Sequence, residues 1–134
     1  MKRALWGCAV LLAVSACAGR KLYLEGTATA PAAVGRLQLD HDVNHTDVDL
    51  KVKQIDPAPR QGPGLTAYVV WVAPIFGGPF ERGGTLAVGP RREGQVRFTT
   101  RLDRFRLIVT AERSPLAPRP SRTVVLQTVV DARH

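Results

Sequence analysis

The side chains best suited to chemistry are concentrated between residues 40 and 49, where four aspartates and two histidines occur. Imidazole nitrogens and carboxylate oxygens are ligands that zinc and calcium accept. On a straight strand, however, His41 and His45 would lie about 13 Å apart, too far to share one ion. A turn at Asn44-His45 could bring them closer, yet the spacing matches neither an EF-hand loop nor a His-Glu-x-x-His site. The segment therefore predicts a polar hairpin tip rather than a metal centre.

Residue types for nucleophilic catalysis are scarce. After the first sixteen residues the serines are Ser114 and Ser121, both in a proline-rich segment, and Cys17 is the remaining cysteine. No Gly-x-Ser-x-Gly motif places a serine on a sharp turn, and no motif pairs a serine with His41 or His45. We therefore predict that the protein is not an enzyme and has no cofactor.

The amino-terminal segment follows the pattern of a secretory signal. Lys2 and Arg3 provide a positive start, an apolar run covers residues 4–14, and small residues then precede Cys17. The run is only about half of the ~20 residues that a membrane-spanning helix needs. The segment therefore predicts a signal that is removed after export.

Val14-Ser15-Ala16-Cys17 resembles the lipobox of bacterial lipoproteins. The resemblance implies cleavage before Cys17, a diacylglycerol on its sulfur and a further acyl chain on its new amino group, and more than one chain anchors a protein stably. Ala18, where an aspartate would favour the inner membrane, implies the outer membrane if the source is Gram-negative. An ordinary secretory peptide with a chance cysteine is the alternative.

Cleavage at that position removes sixteen of the 134 residues and leaves 118, a single-domain length. Cys8 leaves with the signal and Cys17 is alkylated, so packing rather than a disulfide must stabilise the domain. Without Lys2 and Arg3, 17 basic residues remain against 11 acidic ones, a net charge of +6. The balance is moderately basic.

Arginines crowd residues 91–113, where seven occur with three acidic residues. A basic surface there would suit lipid phosphates or acidic glycans. Alternate residues are apolar, however, which favours an ordinary solvated strand face. Nucleic acid is not expected outside the cytoplasm, and no aromatic residues interleave these arginines. The candidate basic residues are Arg97, Arg101, Arg104 and Arg106.

Short runs of period two separated by Gly/Pro-rich turns predict β-strands throughout the rest of the chain. Leu37 and Leu39 alternate with polar residues, as do the apolar residues of 48–52, and this pattern predicts a hairpin. Ile55 falls out of this alternation, which suggests a bulge. Thr66–Ala73 is apolar on both faces and predicts a buried central strand. We expect an all-β fold, a single Ig-like antiparallel β-sandwich of about seven strands over residues 22–134, after a signal peptide (1–16) and a lipidated tether (17–21).

The strand pattern resembles the extracytoplasmic β-sandwich of anti-sigma-K-type factors. In that family an aromatic strand precedes a glycine-led strand and a Val-Thr-Glu strand with a proline-rich tail. The resemblance implies the fold and not anti-sigma activity, because the family's sigma-binding region and transmembrane helix have no counterpart in this sequence. The matching segments are Val52 to Pro59, Gly64 to Val72, Gly84-Thr85-Leu86, the Gly94 turn, Val109-Thr110-Ala111-Glu112 and Val124-Val125-Leu126.

An apolar segment, Pro74 to Gly83, is predicted to be a ten-residue loop. Ile75, Phe76 and Phe80 lie in it, and they either cover the open end of the sandwich or protrude as a contact surface. Because the loop is long and contains glycines, we predict the contact surface.

Three classes of function remain. The first is a lipid-anchored envelope interaction or structural module, held at the membrane by Cys17, whose partner is an envelope protein, an acidic glycan or a lipid phosphate. The second is a sensory or regulatory ectodomain related to anti-sigma systems, and the third is an envelope enzyme. The absence of catalytic motifs favours the first.

Overall fold

A computed structural model describes residues 20–133 of the chain. The predicted signal peptide and Cys17 lie outside these residues. Among residues 20–133, no helix has the length and apolar character needed to cross a membrane.

Within residues 20–133, eight antiparallel strands form one sheet in the order β1-β2-β3-β6-β5-β4-β7-β8. This arrangement confirms the all-β antiparallel fold, with eight strands instead of about seven, and leaves the two-sheet Ig-like sandwich unconfirmed. One short 3-10 turn, Ala58–Gln61, interrupts the connection between β3 and β4. The strands are β1 Arg20–Glu25, β2 Val34–His41, β3 Thr46–Lys53, β4 Ala67–Pro74, β5 Glu81–Val88, β6 Glu93–Thr100, β7 Arg104–Glu112 and β8 Val124–Asp131.

The β2–β3 hairpin confirms the prediction made from its alternating pattern. Leu37 lies opposite Leu50 and both are buried, while the intervening side chains face outwards. The predicted bulge at Ile55 is wrong. β3 ends at Lys53, and Gln54 adopts a positive φ of 59°, which redirects the chain so that Ile55 is fully buried.

The two ends of the sheet nearly meet. Gly26 forms an isolated antiparallel bridge with Leu126, and the Thr27 amide donates to the carbonyl of Val125 at 3.0 Å. Strand β5 pairs with β4 along most of its length, and its last residues, Ala87 and Val88, pair with β6. The sheet therefore curves around one interior, and β1, which begins at Arg20 inside the predicted tether, closes against β8.

The main core lies inside this curved sheet and receives side chains from both halves of it. Strand β4 is central, as predicted: Tyr68, Val70 and Val72 face the core. Burial raises the pKa of the Tyr68 phenol, and the negative charge of the nearby Asp56 raises it further. The hydrogen bond from Gln61 acts in the opposite direction and lowers this pKa, but burial has the larger effect.

Antiparallel pairing decides which loops share an end of the sheet. Strand β1 begins at Arg20, and every neighbouring strand runs in the opposite direction. The end of the sheet that contains Arg20 therefore also holds the β2–β3 tip (residues 42–45), the β4–β5 loop (75–80), the β6–β7 turn (101–103) and the end of β8. We call it the Arg20 end. The proline-rich β7–β8 loop, residues 113–123, starts and ends at the opposite end, and it reaches back along the sheet as far as Arg82, whose side chain donates to the Ala117 carbonyl.

Candidate binding surface

A second apolar cluster lies on the outer face of β4 and β7, away from the main core. Val69, Trp71 and Ile108 form it, because residues of odd number in β4 point away from the core that receives Val70 and Val72. Three partly buried side chains cover this cluster: Phe80, Ala117 and Val124.

A hydrogen-bond network ties this cluster to the β7–β8 loop. Trp71 Nε1 donates to Thr110 Oγ1 at 2.8 Å, and the Thr110 hydroxyl in turn donates to Glu112 Oε2. The Glu112 carboxylate, only 5% exposed, also accepts from the Ser121 amide at 2.8 Å. The Ser121 hydroxyl donates to the carbonyl of Ala111 at 2.8 Å, so in this structure Ser121 serves to hold the loop.

Replacing Thr110 with valine is expected to lower the free energy of unfolding by about 1–3 kcal/mol, because it leaves the Trp71 N–H without its acceptor and removes one donor to Glu112. Urea denaturation measures the loss. Thr85→Val, at an exposed position of β5, is the matched control and should change stability by less than about 0.5 kcal/mol. Equal effects of the two variants would contradict a structural role for the network.

Three arginines stack on aromatic rings in and beside this outer face. The Arg82 guanidinium lies 5.7 Å from the Trp71 ring centroid, that of Arg106 lies 5.4 Å from Phe80, and that of Arg104 lies 4.9 Å from Phe76. Stacking over the negative face of a ring holds each guanidinium in place. Arg82 is held further because it donates to the carbonyl of Ala117. We call Arg82, Arg104 and Arg106 the arginine surface.

The candidate basic residues do not form one patch. Arg97 lies on β6 and pairs with Asp49 at 3.2 Å, and Arg101 is exposed in the β6–β7 turn. Of these four candidates from the sequence, only Arg104 and Arg106 belong to the arginine surface. Sequence reasoning missed Arg82, which lies outside the arginine-rich stretch and is brought beside Trp71 by the pairing of β5 with β4.

Arg104 connects the arginine surface to the Arg20 end. Its Nε lies 3.5 Å from Asp131 Oδ2, an ion pair without hydrogen-bond geometry. Asp131 also pairs with Arg133 at 3.1 Å. Hydrogen bonding to Asp131 raises the pKa of the Arg133 guanidinium, which is exposed.

The three candidate contact residues have different surroundings. The loop between β4 and β5 spans residues 75–80, shorter than the predicted ten residues, because β4 extends to Pro74 and β5 begins at Glu81. Phe76 is 83% exposed, whereas Ile75 is half-buried and Phe80 packs on the outer cluster. Phe80 therefore covers the outer face of the sheet and not the open end of a sandwich, and the contact surface stays a prediction.

The Asp/His-rich segment forms the tip of the β2–β3 hairpin. His41 Nδ1 lies 3.0 Å from Thr46 Oγ1, and His45 Nε2 lies 3.6 Å from Asp47 Oδ1. Within residues 20–133, no group of three or more His, Cys, Asp or Glu side chains is arranged to hold a metal ion. That the tip binds neither zinc nor calcium stays a prediction.

No family model matches the chain, and neither the curated proteins nor the solved structures provide a match. The resemblances to bacterial lipoproteins and to anti-sigma-K-type domains therefore stay predictions. The class that the structure itself defines is an all-β antiparallel domain with an arginine surface backed by aromatic rings.

Proposed function

We propose that the protein is a lipid-anchored envelope module that has no reaction centre of its own and binds an acidic glycan through Arg82 and Arg106 of the arginine surface. The observation that carries the proposal is the stacking of Arg82 on Trp71 and of Arg106 on Phe80 across one face of the sheet. Because the rings hold the two guanidiniums, little conformational entropy is lost when they bind an anion.

The spacing of the two arginines favours a polymer over a single small anion. Arg82 lies on β5 and Arg106 on β7, with β4 between them. Two strand spacings and a two-residue offset along β7 separate their backbones by about 12 Å. Each guanidinium is held on its own ring rather than turned towards the other. A chain with repeated negative charges can contact both, and guanidinium groups bind carboxylates with charge-assisted hydrogen bonds.

The lipid anchor belongs to the same proposal. It is supported by the lipobox-like segment Val14-Ser15-Ala16-Cys17. We also infer that the domain is a flattened, Ig-like sandwich. In support, the core receives side chains from both β1–β3 and β4, β7 and β8, and the β5–β6 pairing that joins the two halves involves only the last two residues of β5.

Changing Arg82 and Arg106 together to glutamine is expected to weaken binding of polygalacturonate, an acidic glycan, by about a hundredfold, since each of the two charge-assisted contacts contributes about 1.5 kcal/mol. Calorimetric titration of the mature protein measures the loss. The control pair Arg91→Gln, Arg97→Gln removes equal charge from exposed positions elsewhere and should have less than a twofold effect. Equal losses in the two pairs, or no binding by the wild type, would overturn the glycan proposal.

A further inference from the structure

The Arg20 end is the part of the domain nearest to the proposed lipid anchor. Three peptide links separate Cys17 from Arg20, and at about 3.3–3.6 Å per residue they reach at most about 10 Å. Such a span is comparable to the thickness of a lipid headgroup layer. An anchor on Cys17 would therefore keep the Arg20 end against the membrane, while the opposite end faces away from it.

The most exposed aromatic ring at the Arg20 end is that of Phe76, in the β4–β5 loop. Its side chain is 83% exposed, although burying a phenylalanine in an apolar environment is worth about 2–3 kcal/mol. The Arg104 guanidinium stacks on this ring. An aromatic ring with a guanidinium beside it suits the membrane interface, where the ring enters the acyl boundary and the cation stays at the phosphates.

Charges at the Arg20 end decide which side of it faces the lipid. On the side of Phe76 the net charge is positive, because six arginines face three carboxylates. The arginines are Arg20, Arg82, Arg101, Arg104, Arg106 and Arg133, and the carboxylates are Glu81, Asp103 and Asp131. On the side of the β2–β3 tip, three carboxylates surround Val43, which is also highly exposed. These carboxylates are Asp40, Asp42 and Asp47. Anionic lipid repels a tip with this negative charge.

We propose that the domain docks on its own anchoring membrane through the β4–β5 loop, with Phe76 inserted at the headgroup boundary and Arg104 bound to a lipid phosphate. The proposal rests on the proposed lipid anchor. The acidic β2–β3 tip stays off the surface, so the domain tilts towards the Phe76 side.

Tryptophan placed at the loop tip reports the depth of insertion. The mature, lipidated Phe76→Trp protein is reconstituted into vesicles of phosphatidylethanolamine and phosphatidylglycerol that contain brominated acyl chains, which quench nearby indoles. We expect the added emission of this variant to be largely quenched. Trp71 is 1% exposed and supplies a constant background that the wild type measures separately.

Two matched variants complete the experiment. Ala32→Trp places the indole at an exposed position of the β1–β2 connection, at the opposite end of the sheet, and Val43→Trp places it on the acidic tip. We expect both to keep most of their emission. Strong quenching of all three variants, or of none, overturns the docked orientation.

A parallel measurement separates this proposal from the anchor. The mass of the amino-terminal peptide shows whether Cys17 carries lipid. Lipid on Cys17 without quenching at position 76 overturns docking and leaves the anchor standing, whereas a Cys17 free of lipid overturns both.

Discussion

Replacing Trp71 with alanine is expected to lower the free energy of unfolding by about 3–5 kcal/mol. The indole is 1% exposed and packs with Val69 and Ile108 on the outer face of the sheet. Its removal leaves a cavity beneath Phe80 and deprives Thr110 of a donor. Trp71→Ala removes both packing contacts and a hydrogen bond, whereas Thr110→Val removes hydrogen bonds alone. The expected fall in the free energy of unfolding is therefore larger for Trp71→Ala.

Denaturation in urea, followed by circular dichroism, measures this loss. Phe76→Ala serves as the control, because that ring is 83% exposed and should cost less than about 1 kcal/mol. Trp71→Phe separates the packing contribution from that of the hydrogen bond, since phenylalanine retains most of the packing and lacks the N–H. A loss below about 1 kcal/mol for Trp71→Ala would show that the outer cluster does not contribute to stability.

Changing Cys17 to serine is expected to abolish lipid attachment and to release the domain from the membrane fraction. A hydroxyl does not accept the diacylglycerol that a thiol takes, and without acyl chains the membrane affinity of about 0.8 kcal/mol per buried methylene is lost. The fold should be unaffected, because the core of the domain is formed by side chains between Leu22 and Ala132. Fractionation of cells and mass spectrometry of the amino terminus measure the two effects.

Cys8 provides the matched control for this change, since it lies within the predicted signal peptide. Cys8→Ser should be lipidated and retained like the wild type. Membrane retention of the Cys17→Ser protein at the wild-type level, together with a wild-type amino terminus that carries no lipid, would contradict the lipoprotein prediction.

Features that depend on near neighbours in the chain were accessible from the sequence. The alternation around Leu37 and Leu39 predicted the β2–β3 hairpin because successive side chains of a strand point to opposite faces. The apolar character of both faces of β4 predicted its central position. In both cases the information lies within a few residues.

Features that depend on distant segments were not accessible. The sequence indicated that Trp71 is buried, but not that residues 113–123, far along the chain, cover it outside the main core. Arg82 reaches Trp71 only through the register of β5 on β4, which shifts between Val70 and Trp71. A one-residue change of register would move a side chain to the other face, and nothing local specifies that choice.

The sequence by itself therefore determined the all-β class and the two buried strand patterns, because period-two burial is a local property of the chain. It also carries the lipobox-like segment before Cys17, on which the predicted anchor depends. Only the tertiary structure decided that Phe76 is exposed while Phe80 is covered, although both belong to one apolar loop. Their difference arises from which side chain meets the outer face of β4 and β7, and that contact exists only once all the strands have paired.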